Sequence, residues 1–391
     1  MSARGTIPER PLKVALAVMY PLDPSHRSGG LQAVACDLVR GFRAVEGLEL
    51  HVVHCTKEVE ADRVVQDGSV VVHYLRAPRR RIVPNMLTSV LRLRRELRRI
   101  RPDVVNAHMS HYAAAGIWAG FPTVFTIHGI VWREAVIFHQ TWFDRLRYRL
   151  AMLYDRFAVG RVSRVVAINS YVLREYGAEE DPRWRVIPIP VSEEYFAIPD
   201  RAVAGRILCA GTILELKNGM ALLQALKAVR ERVPEAHVHF AGRVDDQAYL
   251  VRLKHYASEN GLEDAVTFRG LISFEQTLDA YAECAVLALT SRQESSPRVI
   301  LEAAAAGKPS VSVRVGSVED MIDDGVSGFV VAQDDIPALT DGLVRLLTDG
   351  GASRRMGAAA RERVEARFRL DRVVAQYMDA YREASAPGGK G

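Results

Sequence analysis

The stretch Ser291–Val313, SRQESSPRVILEAAAAGKPSVSV, constrains the fold of this chain more than any other segment. The apolar run Ala285–Leu289 before it reads as a buried strand. A polar turn follows, then a helix opening near Ser296-Pro297, and a Gly307-Lys308-Pro309 stop that leads into another strand. Proline in the first turn of a helix costs no hydrogen bond, and glycine with proline close behind ends a helix cleanly. Strand, turn, helix and strand in so few residues make a βαβ crossover, the connection that parallel strands require.

Two carboxylates mark this helix. Glu294 lies just before its first turn and Glu302 eight residues further, about 12 Å along the axis. Free N–H groups from about Ser295 to Arg298 would favour an anion at the helix start. A ligand with phosphates on those amides and hydroxyls on each carboxylate would have the outline of a nucleotide sugar. The residues alone read equally well as an ordinary crossover with one capping and one surface glutamate.

The same alternation runs through the chain. Lys13–Met19 is a continuous apolar run, the pattern of a strand buried on both faces. A loop with Ser28-Gly29-Gly30 and a helix over about Leu31–Val45 follow it. Further strands are predicted at Glu49–Cys55, Val70–Tyr74, Asp103–Ala107, Pro122–Ile127, Arg164–Asn169 and Arg185–Pro190, with Ser170 as a helix cap. Beyond about Ala204 the pattern repeats at Arg206–Ala210, His237–Ala241, Ala265–Phe268 and Gly328–Val331. Helices are predicted at Trp142–Gly160, from Asn218, and at Ile336–Leu347, Ser353–Arg367 and Leu370–Ala384. Alternating strands and helices argue for doubly wound parallel sheets, which bind ligands beyond the C-terminal strand ends. His108 and His128 stand at two such ends, in Asn106-Ala107-His108 and Thr126-Ile127-His128-Gly129.

A chain of 391 residues divides naturally into two domains, and 49% hydrophobic with 25% charged residues is an ordinary globular balance. No apolar run reaches the ~20 residues of a membrane span, and MSARGTIPERPLK lacks a signal-peptide core, so a cytoplasmic location is expected. Cys36, Cys55, Cys209 and Cys284 are scattered in apolar segments and read as free thiols. No Asp-x-Asp run or His/Cys cluster suggests a metal, and no cofactor is expected. The segment Arg76–Arg101 is strongly basic, with Val90, Leu93, Leu97 and Ile100 at helical spacing. It reads first as a solvated helix packed on its own sheet, and second as a peripheral contact with the anionic inner face of a membrane. Without an aromatic platform beside the charge, nucleic acid is not an expected partner.

The run ESSPRVILEAAAAGKP resembles the donor site of the retaining GT-B glycosyltransferases of family GT4, and the resemblance extends from about Lys13 to Tyr381. It implies two Rossmann-like domains facing each other across a cleft. Residues 1–190 would bind the acceptor, 191–369 the nucleotide sugar, a helix over about 370–384 would cross back, and 385–391 would form a flexible tail. The implied reaction moves a hexosyl group from a UDP- or GDP-type donor to an acceptor hydroxyl, with retention and without a metal. On the matched motifs, Glu302 takes the ribose hydroxyls, Glu294 the transferred sugar, and Lys217 with Ser295, Ser296 and Pro297 the diphosphate. Gly211 and Thr212, in the same loop as Lys217, also bind the donor, and Gly270 and Leu271 border its base. From the first domain, Gly29 and Gly30 approach the donor phosphate or the acceptor, and His128, counted with Glu294 and Lys217 as catalytic, faces the transferred sugar or the acceptor. His108, His111 and Arg133 are weaker candidates for acceptor contact. The chain departs from the family at Thr212, where an arginine is usual, and at Ile189, where asparagine is common. Arg243, Arg292 or Arg298 would have to compensate for Thr212. A nucleotide-sugar epimerase, a phosphorylase or a catalytically silent nucleotide-sugar binder are the alternatives on such a fold.

Overall fold

A computed structural model describes residues 10–24, 29–77, 85–133 and 142–386. They form two compact units, one of residues 1–190 with 370–391, the other of residues 191–369. The first contains β1 (Leu12–Ala17), α1 (Gly30–Arg43), β2 (Leu48–Thr56), β3 (Arg63–Asp67), β4 (Val70–Arg76), α2 (Asn85–Ile100), β5 (Val104–Ala107), α3 (Ser110–Ala119) and β6 (Thr123–Ile127). It continues with α4 (Trp142–Val159), β7 (Arg164–Ala167), α5 (Ser170–Glu175) and β8 (Trp184–Val186). The second contains α6 (Glu193–Phe196), β9 (Arg206–Ala210), α7 (Gly219–Arg230), β10 (His237–Ala241), α8 (Gln247–Glu259), β11 (Val266–Phe268), α9 (Phe274–Glu283) and β12 (Val286–Leu289). Then come α10 (Arg298–Ala305), β13 (Ser310–Val313), α11 (Val318–Met321), β14 (Gly328–Val331), α12 (Ile336–Thr348) and α13 (Gly350–Arg367). The closing helix α14 (Leu370–Ser385) returns to the first unit.

The first sheet has the order β3-β4-β2-β1-β5-β6-β7-β8 and the second β11-β10-β9-β12-β13-β14. Every pairing is parallel except that of β3 with β4. In the first unit the chain winds outward from β1 through β2, then returns to the other side of β1 for β5. In the second it winds from β9 through β10 and β11, then returns beside β9 for β12. The loops leaving β1 and β5, and those leaving β9 and β12, therefore diverge and open a crevice at the C-terminal strand ends.

Several sequence readings shift. β8 stops at Val186 and does not run on to Pro190, because Pro188 and Pro190 have no N–H to give to a ladder. Asn169, not Ser170, caps α5, accepting from the Val172 amide at 2.8 Å. Pro297 is extended at ψ 96° and serves as N-cap, so α10 begins at Arg298, later than the turn at Ser296-Pro297. The edge strand β3 was not legible in the sequence. The apolar stripe of α2 is buried at Val90, Leu93, Leu97 and Ile100, as the plainer reading of the basic segment holds. Residues 78–84 of that segment, Ser28, and residues 387–391 of the expected tail lie outside the described residues. Ser385 is the last residue of α14. That helix lies so close to α1 that a methyl group on Gly41 would sit 2.6 Å from Val374 and 2.9 Å from Leu370.

Candidate active site

In the second unit the loop after β9 is shaped by glycine. Gly211 has φ +141°, and a Cβ on Gly242 (φ +158°) would lie 1.9 Å from the Gly211 carbonyl oxygen. L-residues avoid both the angle and the contact. The chain then makes a tight 3-10 turn over Glu215–Lys217 and passes Asn218 at φ 49° into α7. Two bonds tie that turn to the end of β12: the Thr290 hydroxyl donates to the Lys217 carbonyl at 3.2 Å, and the Arg292 amide to the Leu216 carbonyl at 2.8 Å.

This fastening brings Lys217 to Glu294, 77 residues away. Lys217 Nζ donates to Glu294 Oε1 at 2.6 Å, with the lysine side chain one-third exposed and the carboxylate 13% exposed. The pocket beside them is lined by Gly211, Thr212, Lys217, Leu289, Thr290 and Ser291, among others. The Ser291 hydroxyl is buried with no hydrogen-bond partner among the described residues, and it was missed in the sequence because a serine after a strand carries no signal of its own. Gly316, at φ +55°, backs the Glu294 loop closely enough that a Cβ there would be 2.3 Å from the Glu294 carbonyl oxygen. The Ser317 amide and hydroxyl both donate to the Ser295 carbonyl, at 3.2 and 2.9 Å.

Ser295 and Ser296 thus belong to a braced loop and not to the helix. Pro297, inside the range Ser295 to Arg298 expected to offer free amides, has no N–H to offer, and the Ile300 amide bonds to the Pro297 carbonyl at 3.1 Å. Glu302 lies one helical step inside α10 and is oriented by its neighbours: Tyr281 donates its hydroxyl to Oε2 at 2.8 Å and Arg298 Nε to Oε1 at 3.4 Å. Gly270 has φ +65°, its carbonyl accepts from the Gly242 amide at 2.9 Å, and the next residue, Leu271, is 75% exposed. The three arginines named as substitutes for one at Thr212 all have acidic partners: Arg243 with Asp245, Arg292 with Asp334, and Arg298 with Glu302.

In the first unit the structure joins His128 and His108. Their ring centroids are 4.8 Å apart and His128 Nε2 is 2.8 Å from His108 Nδ1. His108 is buried, which drives its pKa well below the usual histidine value, with the nearby His128 acting in the same direction. His111 belongs to a different group of rings on α3, against Tyr112 and Tyr154, and burial pushes its pKa down to about 4. Arg133 is held at the surface by a two-pronged bond to Glu175. Gly29 caps α1 in an extended conformation, φ 165°, and a Cβ there would meet nothing within 4 Å. Any residue adopts the angle at Gly29, and Gly30 is the first residue of α1.

Residues 28–195 match the model for Glycosyltransferase Family 4, and residues 200–363 that for Glycosyl transferases group 1. A D-inositol 3-phosphate glycosyltransferase of Paenarthrobacter aurescens is 26% identical over 91% of this chain and 93% of its own. Other curated relatives match over about half their length, among them a GDP-mannose-dependent alpha-(1-6)-phosphatidylinositol monomannoside mannosyltransferase of Mycobacterium tuberculosis, 29% identical over 45% of this chain and 47% of its own. Among solved structures, sucrose-phosphate synthase from Thermosynechococcus elongatus superposes with a TM-score of 0.79 at 19% identity, over 95% of this chain and 98% of that one. Anabaena Alr3699/HepE in complex with UDP and glucose gives 0.71 at 18% identity, over 94% and 98%. Both likenesses concern the fold.

Proposed function

The chain belongs to family 4 of the glycosyltransferases, on the GT-B fold, and as a glycosyltransferase with a nucleotide-sugar donor we propose that it moves a hexosyl group to an acceptor hydroxyl with retention and without a metal. The observation that carries this reading is the Lys217–Glu294 pair at the β9/β12 crevice. Negative charge grows on the diphosphate as it leaves, and preorganised cations lower that barrier most. An ammonium has three N–H donors. Glu294 takes one and orients the others, so Lys217 can hold a phosphate while the carboxylate's second oxygen accepts from a sugar hydroxyl. The positive end of α10 adds to the same field. Glu302, held by Tyr281 and Arg298, is preset to accept from the two ribose hydroxyls.

The base borders Gly270 and Leu271. His128 faces the transferred sugar or the acceptor, and the backbone at Gly29 and Gly30 approaches the donor phosphate or the acceptor. A UDP- or GDP-type donor is supported by the UDP bound in the HepE structure and by the relatives named for GDP-mannose, and a polyol acceptor by the relative named for D-inositol 3-phosphate. No helix of the described residues is long and apolar enough to cross a membrane. A peripheral membrane contact is favoured by one observation: Leu87, Leu91 and Arg95 recur at four-residue spacing on the exposed side of α2.

The test is incubation of the purified chain with UDP- and GDP-sugars, with and without polyol acceptors and with EDTA. Transfer that needs the acceptor, ignores EDTA and yields the donor's anomer supports the reading. An inverted product would overturn retention, and binding without turnover would make the chain the silent binder that Thr212 raises.

A further inference from the structure

Four side chains of the first unit, none of them in the candidate site, form an unbroken hydrogen-bonded chain. Glu49 and His51 lie on β2, His73 on β4 and Glu96 on α2. Glu49 Oε1 is 3.0 Å from His51 Nε2, His51 Nδ1 is 2.9 Å from His73 Nε2, and His73 Nδ1 is 2.8 Å from Glu96 Oε1. All four ring nitrogens are engaged, so turning either ring over would put a carbon where a nitrogen now bonds. The side chains of His51, His73 and Glu96 are 12%, 4% and 13% exposed.

Three hydrogen bonds need three protons, and two neutral imidazoles carry two. The ends cannot supply the third while they are carboxylates, which only accept. The bond from His73 holds the Glu96 carboxyl below its ordinary value, against the effect of burial. Burial also opposes ionisation of Glu49, but bonds from His51 and Lys13 outweigh it and hold that carboxyl low as well. Lys13 on β1 reaches Glu49 at 2.7 Å, and Arg99 on α2 reaches Glu96 at 3.4 Å. The third proton therefore belongs to the imidazoles. Two neutral rings would either set two lone pairs against each other across 2.9 Å or leave one carboxylate facing a bare nitrogen.

We infer that His51 and His73 together hold one proton more than the neutral pair, and that this shared proton completes a pH-sensitive brace across β2, β4 and α2. The charged groups facing the pair are Lys13 from β1, Glu49 from β2, and Glu96 with Arg95 and Arg99 from α2. A second extra proton is opposed, because it would point two N–H groups at each other. Burial pushes His51 below the ordinary histidine value, and charge on His73 adds to this against the bond to Glu49, so the pair titrates in two separate steps. Unfolded histidines lose their charge near pH 6.5. Above that pH, while the folded pair keeps its extra proton, folding takes up a proton and stability falls as pH rises.

Nitrogen–proton NMR of the histidine-labelled full chain at pH 7 counts the protons, with the two rings identified from His51→Gln and His73→Gln. Three protonated nitrogens out of four are expected; one proton on each ring would overturn the inference. Glu96→Gln tests it independently. Its amide NH2 can donate to His73 Nδ1, His73 Nε2 to His51 Nδ1 and His51 Nε2 to Glu49, so all three bonds close with two neutral rings. In urea unfolding from pH 7 upward, the parent's unfolding constant should rise with pH more steeply than that of Glu96→Gln, by up to tenfold per pH unit. Equal slopes would overturn the brace. The proton count uses the parent chain and decides the matter if Glu96→Gln does not fold.

Discussion

Replacing Lys217 by alanine separates what the Lys217–Glu294 pair does for the fold from what it does for the reaction. The bond is charge-assisted at 2.6 Å, and its carboxylate is only 13% exposed while the lysine is one-third exposed. A hydrogen bond to a charged group contributes about 1.5–3 kcal/mol, and partial exposure of the ammonium moves the expected loss down to about 1–2 kcal/mol. Much of that loss comes from leaving Glu294 without its cation, so the double variant Lys217→Ala/Glu294→Ala should recover most of the stability. The rate should behave differently. Loss of one preorganised donor to a developing anion costs about 2.7–4 kcal/mol of barrier, or about 10²–10³ in kcat. Urea unfolding of the two single variants and the double one, with kcat for the same preparations, makes the comparison. If Lys217→Ala loses activity only in proportion to its unfolded fraction, or the double variant regains activity along with stability, the assignment of Lys217 to the leaving group is wrong.

Three further outcomes follow from particular residues. Gly29→Ala should leave stability within about 0.5 kcal/mol, because its backbone is extended and its Cβ would meet nothing, yet should lower kcat/KM if substrate approaches that backbone; denaturation and kinetics on one sample decide. Asp155 is buried, and burial raises its pKa to about 6 from 3.8 despite the bond from Tyr176. Its folded form binds protons more readily than the unfolded chain, so its contribution to stability is greatest below pH 3.8 and is lost as pH rises through 6. Asp155→Asn is therefore expected to stabilise the chain by up to about 3 kcal/mol at pH 8 and little near pH 4, measured as Tm against pH. Cosedimentation with anionic lipid vesicles tests α2: binding that Leu91→Glu abolishes would support the membrane contact, and no binding by the parent chain would dismiss it.

What the sequence made legible and what it hid have physical causes. Strand β12, VLAL, falls within its expected span, because a strand buried throughout is a continuous apolar run between breakers. β3 reads RVVQD, half polar and largely exposed on a sheet edge, and offers neither a run nor a clean alternation. Helix starts were blurred wherever the choice lay between adjacent capping residues, as at Asn169 and Ser170 or at Pro297 and Arg298. Single residues could be named, including Lys217, Glu294, Glu302 and His128. Their partners could not, because pairing is a tertiary fact. Tyr281 is 21 residues from Glu302 and Tyr381 is 275 from Asn106, and nothing in either local sequence marks the hydroxyl.

The central claim, that the start of α10 and Glu302 hold a nucleotide sugar, is tested most directly by thermal shift with UDP, GDP, ADP and their sugars on the parent chain and on Glu302→Ala. A ligand at 100 times its Kd stabilises the folded state by about 2.7 kcal/mol, enough to move Tm by several degrees. The account expects one nucleotide class to raise Tm in the parent chain and to lose that effect in the variant. No shift with any nucleotide, or an equal shift in Glu302→Ala, would contradict it.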